Sequence, residues 1–162
     1  MEAERRFEVL ATIMRASHFQ WRRAALALNP GLDPGELVNR YWDEVGRDTA
    51  SYYLRQIDAD GDVAEQVAAL FVSSSVVMGE EAEVIENSAD GRCQVRHHSC
   101  PWFDWHQREN LLAEDLAGCD HFLQVVVKAI NSALGTSLRV STVESLPGGG
   151  GGCLRQFWEE RE

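Results

Sequence analysis

The chain has 162 residues, with 15 basic against 26 acidic side chains and a net charge of −11. Apolar residues make up 44% and charged residues 25%, and a chain of this length buries roughly two thirds of its unfolded surface, so folding requires neither disulfides nor a metal. One domain is expected, and the acidic balance excludes the basic patch that nucleic-acid or anionic-membrane recognition needs.

The stretch Met1 to Glu8 carries glutamates where a secretory signal carries only basic residues, and no apolar segment follows it. The most apolar window, Phe122 to Ile130, is interrupted by Gln124 and Lys128, so no membrane span is expected. The expected compartment is the cytoplasm, where Cys93, Cys100, Cys119 and Cys153 stay reduced.

Phe7, Leu10, Met14, His18, Trp21, Ala25 and Leu28 step by three or four and predict a first helix with one apolar stripe. The stripe suits packing against another copy of the chain, which makes a homodimer an expectation. His18 within it reads as a hydrogen-bonded core or boundary histidine. Asn29-Pro30-Gly31 ends this helix. Asp33 as N-cap, Pro34 in the first turn and Glu36 start a second. Leu37, Tyr41, Val45, Thr49 and Tyr52 line one of its faces, widened by Val38 and Trp42, as core or as the wall of a pocket. Asp58, Asp60 and Asp62 do not make a calcium loop, because Val63 and Ala69 stand where an EF-hand needs glycine and glutamate. Asp62 and Glu65 instead cap a third helix that buries Val63, Val67, Leu70, Phe71 and Val77.

The hydrophobic period changes near Gly79. Ala82 to Asn87 reads as a strand, Ser88 to Gly91 as a turn, and Arg92 to Ser99 as the hairpin partner. In that partner Cys93, Val95 and His97 share one face; Gln94, Arg96, His98 and Cys100 share the other. Pro101 stops it. Two helices are predicted over 105–117 and 120–134, broken at Gly118-Cys119, with Asp120 as N-cap and Gly135 closing the second. Leu138 to Glu144 and Cys153 to Trp158 form a second hairpin across the glycine run Gly148 to Gly152. That run reads as a flexible loop, since a phosphate-binding loop would need Gly-Lys-Ser/Thr opening a helix. A frayed tail is expected from Glu159. The expected fold is therefore a single α+β domain over residues 1–162. Its helical half is about 1–79; its α+β half, about 80–158, holds a roughly four-stranded antiparallel sheet of two hairpins covered by helices on one side.

Chemistry concentrates in residues 97–106, His-His-Ser-Cys-Pro-Trp-Phe-Asp-Trp-His, at a strand-to-helix junction. Cys100, Cys119 and Cys153 all fall at predicted element ends and are expected to converge, while Cys93 stands apart. Three readings stay open. Cys100, Cys119 and Cys153 with His98 or His121 would hold zinc or another transition metal, although spacings of 19 and 34 residues match no common zinc-finger pattern. Alternatively, Cys100 or Cys119 is a catalytic nucleophile, with His98 or one of His97, His106 and His121 moving the proton. In the third reading the cysteines only pack. Trp42, Trp102, Trp105 and His106 would wall a substrate pocket.

The order of these pieces, Cys100-Pro101, a helix, Cys119-Asp120, another helix, and a glycine-rich hairpin with Gly152-Cys153, resembles the L-2-amino-thiazoline-4-carboxylic acid hydrolase family. The Asp-Pro-Gly-Glu start of the second helix and the stretch Tyr41 to Gly46 add to the resemblance, which covers about residues 5–158. The second half is also similar to the 4-vinyl reductase domain, a small-molecule-binding α+β module. The first resemblance implies a hydrolase opening the C=N-containing ring of an aminothiazoline carboxylate to a carbamoyl-cysteine, with Cys100, Cys119, Cys153 and more loosely Asp120 in the site. The chain departs from that family in Trp102 to His106 and in its glycine run. The expected function is thus a hydrolase acting on a C=N or amide bond of a small polar heterocycle. The alternative is a non-catalytic sensor or carrier that binds a small ligand or metal.

Overall fold

The computed structural model describes residues 2–85 and 92–160. The predicted turn Ser88 to Gly91, the end of the first predicted strand at Glu86 and Asn87, and the last two residues of the tail lie outside them. The order is α1 (Ala3–Leu28), α2 (Pro34–Leu54), α3 (Val63–Val77), β1 (Glu81–Ile85), β2 (Cys93–Ser99), α4 (Pro101–Arg108), α5 (Leu112–Leu134), β3 (Leu138–Glu144) and β4 (Cys153–Glu159). This is the α+β class read from the sequence, with 61% of the described residues in helix against 17% in strand and every described strand after Gly79.

The capping signals act as the sequence implies. Asp33 accepts from the Glu36 backbone N–H, and Asp62 accepts from that of Glu65. Gly135 ends α5 in the left-handed conformation, at φ 71°.

The two hairpins lie side by side in one antiparallel sheet of order β1-β2-β4-β3. Across the central pair His97 faces Cys153, Val95 faces Arg155 and Cys93 faces Phe157. These residues form the inner face, under α3 and α5. The core there joins Val67 and Phe71 of α3, Val126 and Ile130 of α5, and Val95 and Phe157 of the sheet.

Three expectations need correction. The helical break is not at Gly118-Cys119 but at residues 109–111, where Asn110 takes φ 61°. Gly118 lies inside an unbroken α5, because a Cβ there would stand 2.6 Å from Trp42 Nε1 on α2. Cys119 and Asp120 are therefore mid-helix, and Asp120 caps nothing; it accepts from Thr142 Oγ1 at 2.5 Å and ties α5 to β3.

Second, the glycine run is pinned. The backbone N–H groups of Gly148 and Gly150 reach Ser145 O at 3.1 and 3.0 Å, and that of Gly151 reaches Glu144 Oε1 at 3.0 Å. Glycine is required at 152, where a Cβ would meet the His97 carbonyl at 2.4 Å. Third, the chain end is held as far as Glu160, whose backbone N–H and carbonyl bond Ser137 at 3.1 and 2.7 Å.

The apolar stripe of α1 turns mostly away from the rest of the chain. Phe7, Leu10, Ile13, Trp21 and Leu28 are exposed, and the face that packs inward is Ala11, Arg15, His18 and Phe19. Among the described residues no helix is long and apolar enough to cross a membrane, and the four cysteines form no disulfide.

Candidate functional site

A cavity of about 470 Å³ opens between the helices and the inner face of the sheet. The aromatic face of α2 makes one wall, with Tyr41, Trp42, Val45, Thr49 and Tyr52. Leu70, Phe71 and Ser75 of α3 stand opposite. His97, Cys153 and Arg155 come from the sheet, Cys100 and Trp102 from the start of α4 and His106 from its last turn, and Cys119 and Phe122 from α5. Most of this lining is apolar or aromatic, so the few polar groups set its chemistry.

Gly79 positions the first polar cluster. It takes φ 79° after α3, with Glu80 N donating to Ser75 O at 3.0 Å and Gly79 N to Val76 O at 2.9 Å, a Schellman turn. The turn carries the Glu80 carboxylate to 3.2 Å from His97 Nε2, and Ser75 Oγ reaches the same nitrogen at 2.9 Å. His97 Nδ1 is buried without a partner among the described residues.

The second cluster is at His106. Its Nδ1 lies 2.8 Å from Asp115 Oδ1 and 2.9 Å from Trp102 O. Beside it, outside the cavity lining, His18 is packed among the rings of Tyr41, Trp42 and Trp102 at 4.5, 5.6 and 5.6 Å. Burial, with the charges of His106 and Arg22 in support, lowers its pKa to about 4, so it is neutral at pH 7.

The third cluster is Arg155, on the inner face of β4 and only 3% exposed. Its Nη2 donates to Cys119 Sγ at 3.2 Å and the guanidinium also lies against the Cys153 sulfur, while Nε and Nη1 are buried without a hydrogen-bond partner among the described residues. Asp120 Oδ1 stands 3.9 Å from Nε, beyond hydrogen-bond reach.

Two of the thiols, Cys100 and Cys119, are held protonated. Burial, and then the Glu80 charge, pushes Cys100 well above the ordinary thiol value. Cys119 faces the cavity but is otherwise surrounded by protein, and burial pushes it up to about 11 against the pull of Arg155. Neither is a thiolate at pH 7.

Of the residues singled out from sequence, Cys100, Cys119, Cys153, Trp42, Trp102, His97 and His106 line this one cavity. Cys119 arrives from the middle of a helix rather than from its end. His98 does not share a face with Cys100. It points to the far side of the sheet, its side chain 54% exposed and bonded to Glu83 at 2.8 Å, while the chain turns Cys100 inward after the strand has ended. His121 pairs with Asp43 at 2.8 Å, and Trp105 stacks on Phe19; neither lines the cavity. Cys93 belongs to the core. Sequence reading passed over Glu80, Asp115 and Arg155. Only Arg155 had a signal there, since strand alternation puts residue 155 on the face of Cys153 and Phe157.

No family model and no curated protein sequence matches the chain. Solved structures share its fold, among them the following two. Trafficking protein particle complex subunit 3 from Naegleria fowleri, covalently bound to palmitic acid, superposes with a TM-score of 0.60 at 10% identity, over 95% of this chain and 97% of that one. The phenol-responsive sensory domain of the transcription activator PoxR, with phenol, superposes with a TM-score of 0.54 at 14% identity, over 88% of this chain and 73% of that one. At these identities the likeness is one of fold.

Proposed function

We propose that the chain is a non-catalytic binding domain that takes one small, largely apolar molecule into the cavity between α2, α3, α5 and the sheet. The observation that carries this is the cavity itself. At about 470 Å³ it falls within the roughly 300–1,000 Å³ usual for small-molecule sites, and Tyr41, Trp42, Trp102, Phe71 and Phe122 line it. Two solved structures of similar fold hold a phenol and a palmitic acid, which supports the same use of the fold here. Binding is put ahead of hydrolysis because a nucleophilic thiol must ionise near neutral pH, and burial opposes that at Cys100 and Cys119.

The test is a calorimetric titration of the chain with phenol and with 1-decanol. Saturable binding of at least one probe, with the probe recovered unchanged, is the expected result. No saturation by either would overturn the reading.

A metal is the second reading of the three cysteines that line the cavity, but among the described residues no three cysteine, histidine or carboxylate side chains stand close enough to share an ion. A dication bound by Cys119 would meet the Arg155 guanidinium at contact distance, so Arg155 would have to move. Metal analysis of the freshly purified chain decides between the two readings.

A further inference from the structure

Arginine is charged at every pH a protein experiences, and a buried charge is costly unless an anion meets it. Arg155 lines the cavity, is 3% exposed, and has two nitrogen donors without partners among the described residues. Its contacts are with sulfur, Nη2 on the neutral Cys119 thiol at 3.2 Å and the guanidinium beside Cys153, and sulfur is a weak acceptor. The other acids of the cavity are engaged elsewhere, Glu80 on His97 and Asp115 on His106. Asp120, at 3.9 Å, is half-exposed and bonded to Thr142. The cavity thus presents one buried cation in an aromatic wall.

We propose that Arg155 receives the carboxylate of the ligand, and that the ligand class is a small carboxylic acid with an aromatic or aliphatic body. This rests on the cavity being a ligand site, as proposed above. A carboxylate accepts more strongly than the Cys119 sulfur, so it takes over Nη2 and adds a second guanidinium donor in a two-bond fork. The apolar body then lies against Trp42 and Trp102. Arg155 is a specificity-determining residue: it selects the acid over its neutral isosteres, because an uncharged head leaves the buried cation unmet.

The test compares benzoate with benzamide on the full chain by calorimetry. Benzoate is expected to bind tighter by about tenfold or more, a step of the size that one charge-assisted contact supplies. Arg155→Met is expected to lose this preference, with benzoate affinity falling by about tenfold or more and further than benzamide affinity. Because that variant can fail to fold, the wild-type chain is also followed by ¹⁵N NMR, where benzoate and not benzamide should shift the Arg155 Nε–H signal. Equal affinities, an unmoved Nε–H signal, or a preference that survives Arg155→Met would overturn the assignment and leave the cavity reading standing. Absence of binding by benzoate, benzamide, phenol and 1-decanol alike would overturn both.

Discussion

Gly118 lies against the Trp42 indole so closely that a Cβ at 118 would stand 2.6 Å from Nε1. One turn away along the same seam, a Cβ at Gly46 would meet Val125 Cγ1 at 2.7 Å. These two glycines let α2 and α5 approach, and the approach sets Trp42 in the cavity wall beside Trp102, ring centroids 5.9 Å apart. A helix-packing contact and the shape of the site are therefore one feature.

Replacing glycine by alanine within a helix ordinarily stabilises by about 0.5–1 kcal/mol. Gly118→Ala should do the opposite, destabilising by about 1–3 kcal/mol, because the methyl group has no room beside a rigid indole. Urea unfolding measures the sign. A gain in stability would show that α2 and α5 are not in contact at this point.

The two adjacent histidines of β2 should differ sharply. His97→Ala leaves the Glu80 carboxylate, whose side chain is 10% exposed, without its partner, and a loss of about 3–5 kcal/mol is expected. His98→Ala removes an exposed pair with Glu83 and should cost about 0–1 kcal/mol. Equal losses in denaturant unfolding would contradict the placement of His97 under the sheet.

Cys119 should resist alkylation at pH 7.5 in the native chain and react freely once unfolded. Its pKa is raised by burial from 9.0 to about 11. The unfolded thiol therefore ionises first, so the stability linked to Cys119 is present below about pH 9 and is lost as pH rises through about 11. Cys119→Ala should flatten that alkaline limb. Mass spectrometry showing rapid native labelling of Cys119 would sink this account.

His18 governs an acid limb in the other direction. Its pKa is lowered from 6.5 to about 4, so the unfolded chain takes up a proton before the folded one does. The associated stability is present above about pH 6.5 and is lost as pH falls from there to about 4. His18→Phe keeps a ring among Tyr41, Trp42 and Trp102 and should remove this part of the pH dependence. Thermal melts of both chains between pH 4 and 7 compare the slopes, and identical slopes would count against a neutral, buried His18.

Local signals determined much of the fold. Asp33 with Glu36 and Asp62 with Glu65 start their helices through contacts three residues long, and period-two alternation in β2 and β4 sets which side chains face inward. Such rules involve near neighbours only, so the chain order states them in full. The aromatic face of α2 was legible in the same way, as a stripe of either core or pocket wall. Which of the two it is depended on the distance to α3 and the sheet. The tertiary structure alone decided that Gly118 packs under Trp42 instead of breaking a helix, because Trp42 is 76 residues distant in the chain. It alone carried Cys119 from the middle of α5, Glu80 from the turn after α3 and Arg155 from β4 to one cavity. It also turned His98 away from Cys100, since strand alternation ends where the strand does. The charge balance of a site is a sum over elements distant in sequence, and only their packing brings those charges within reach of one another.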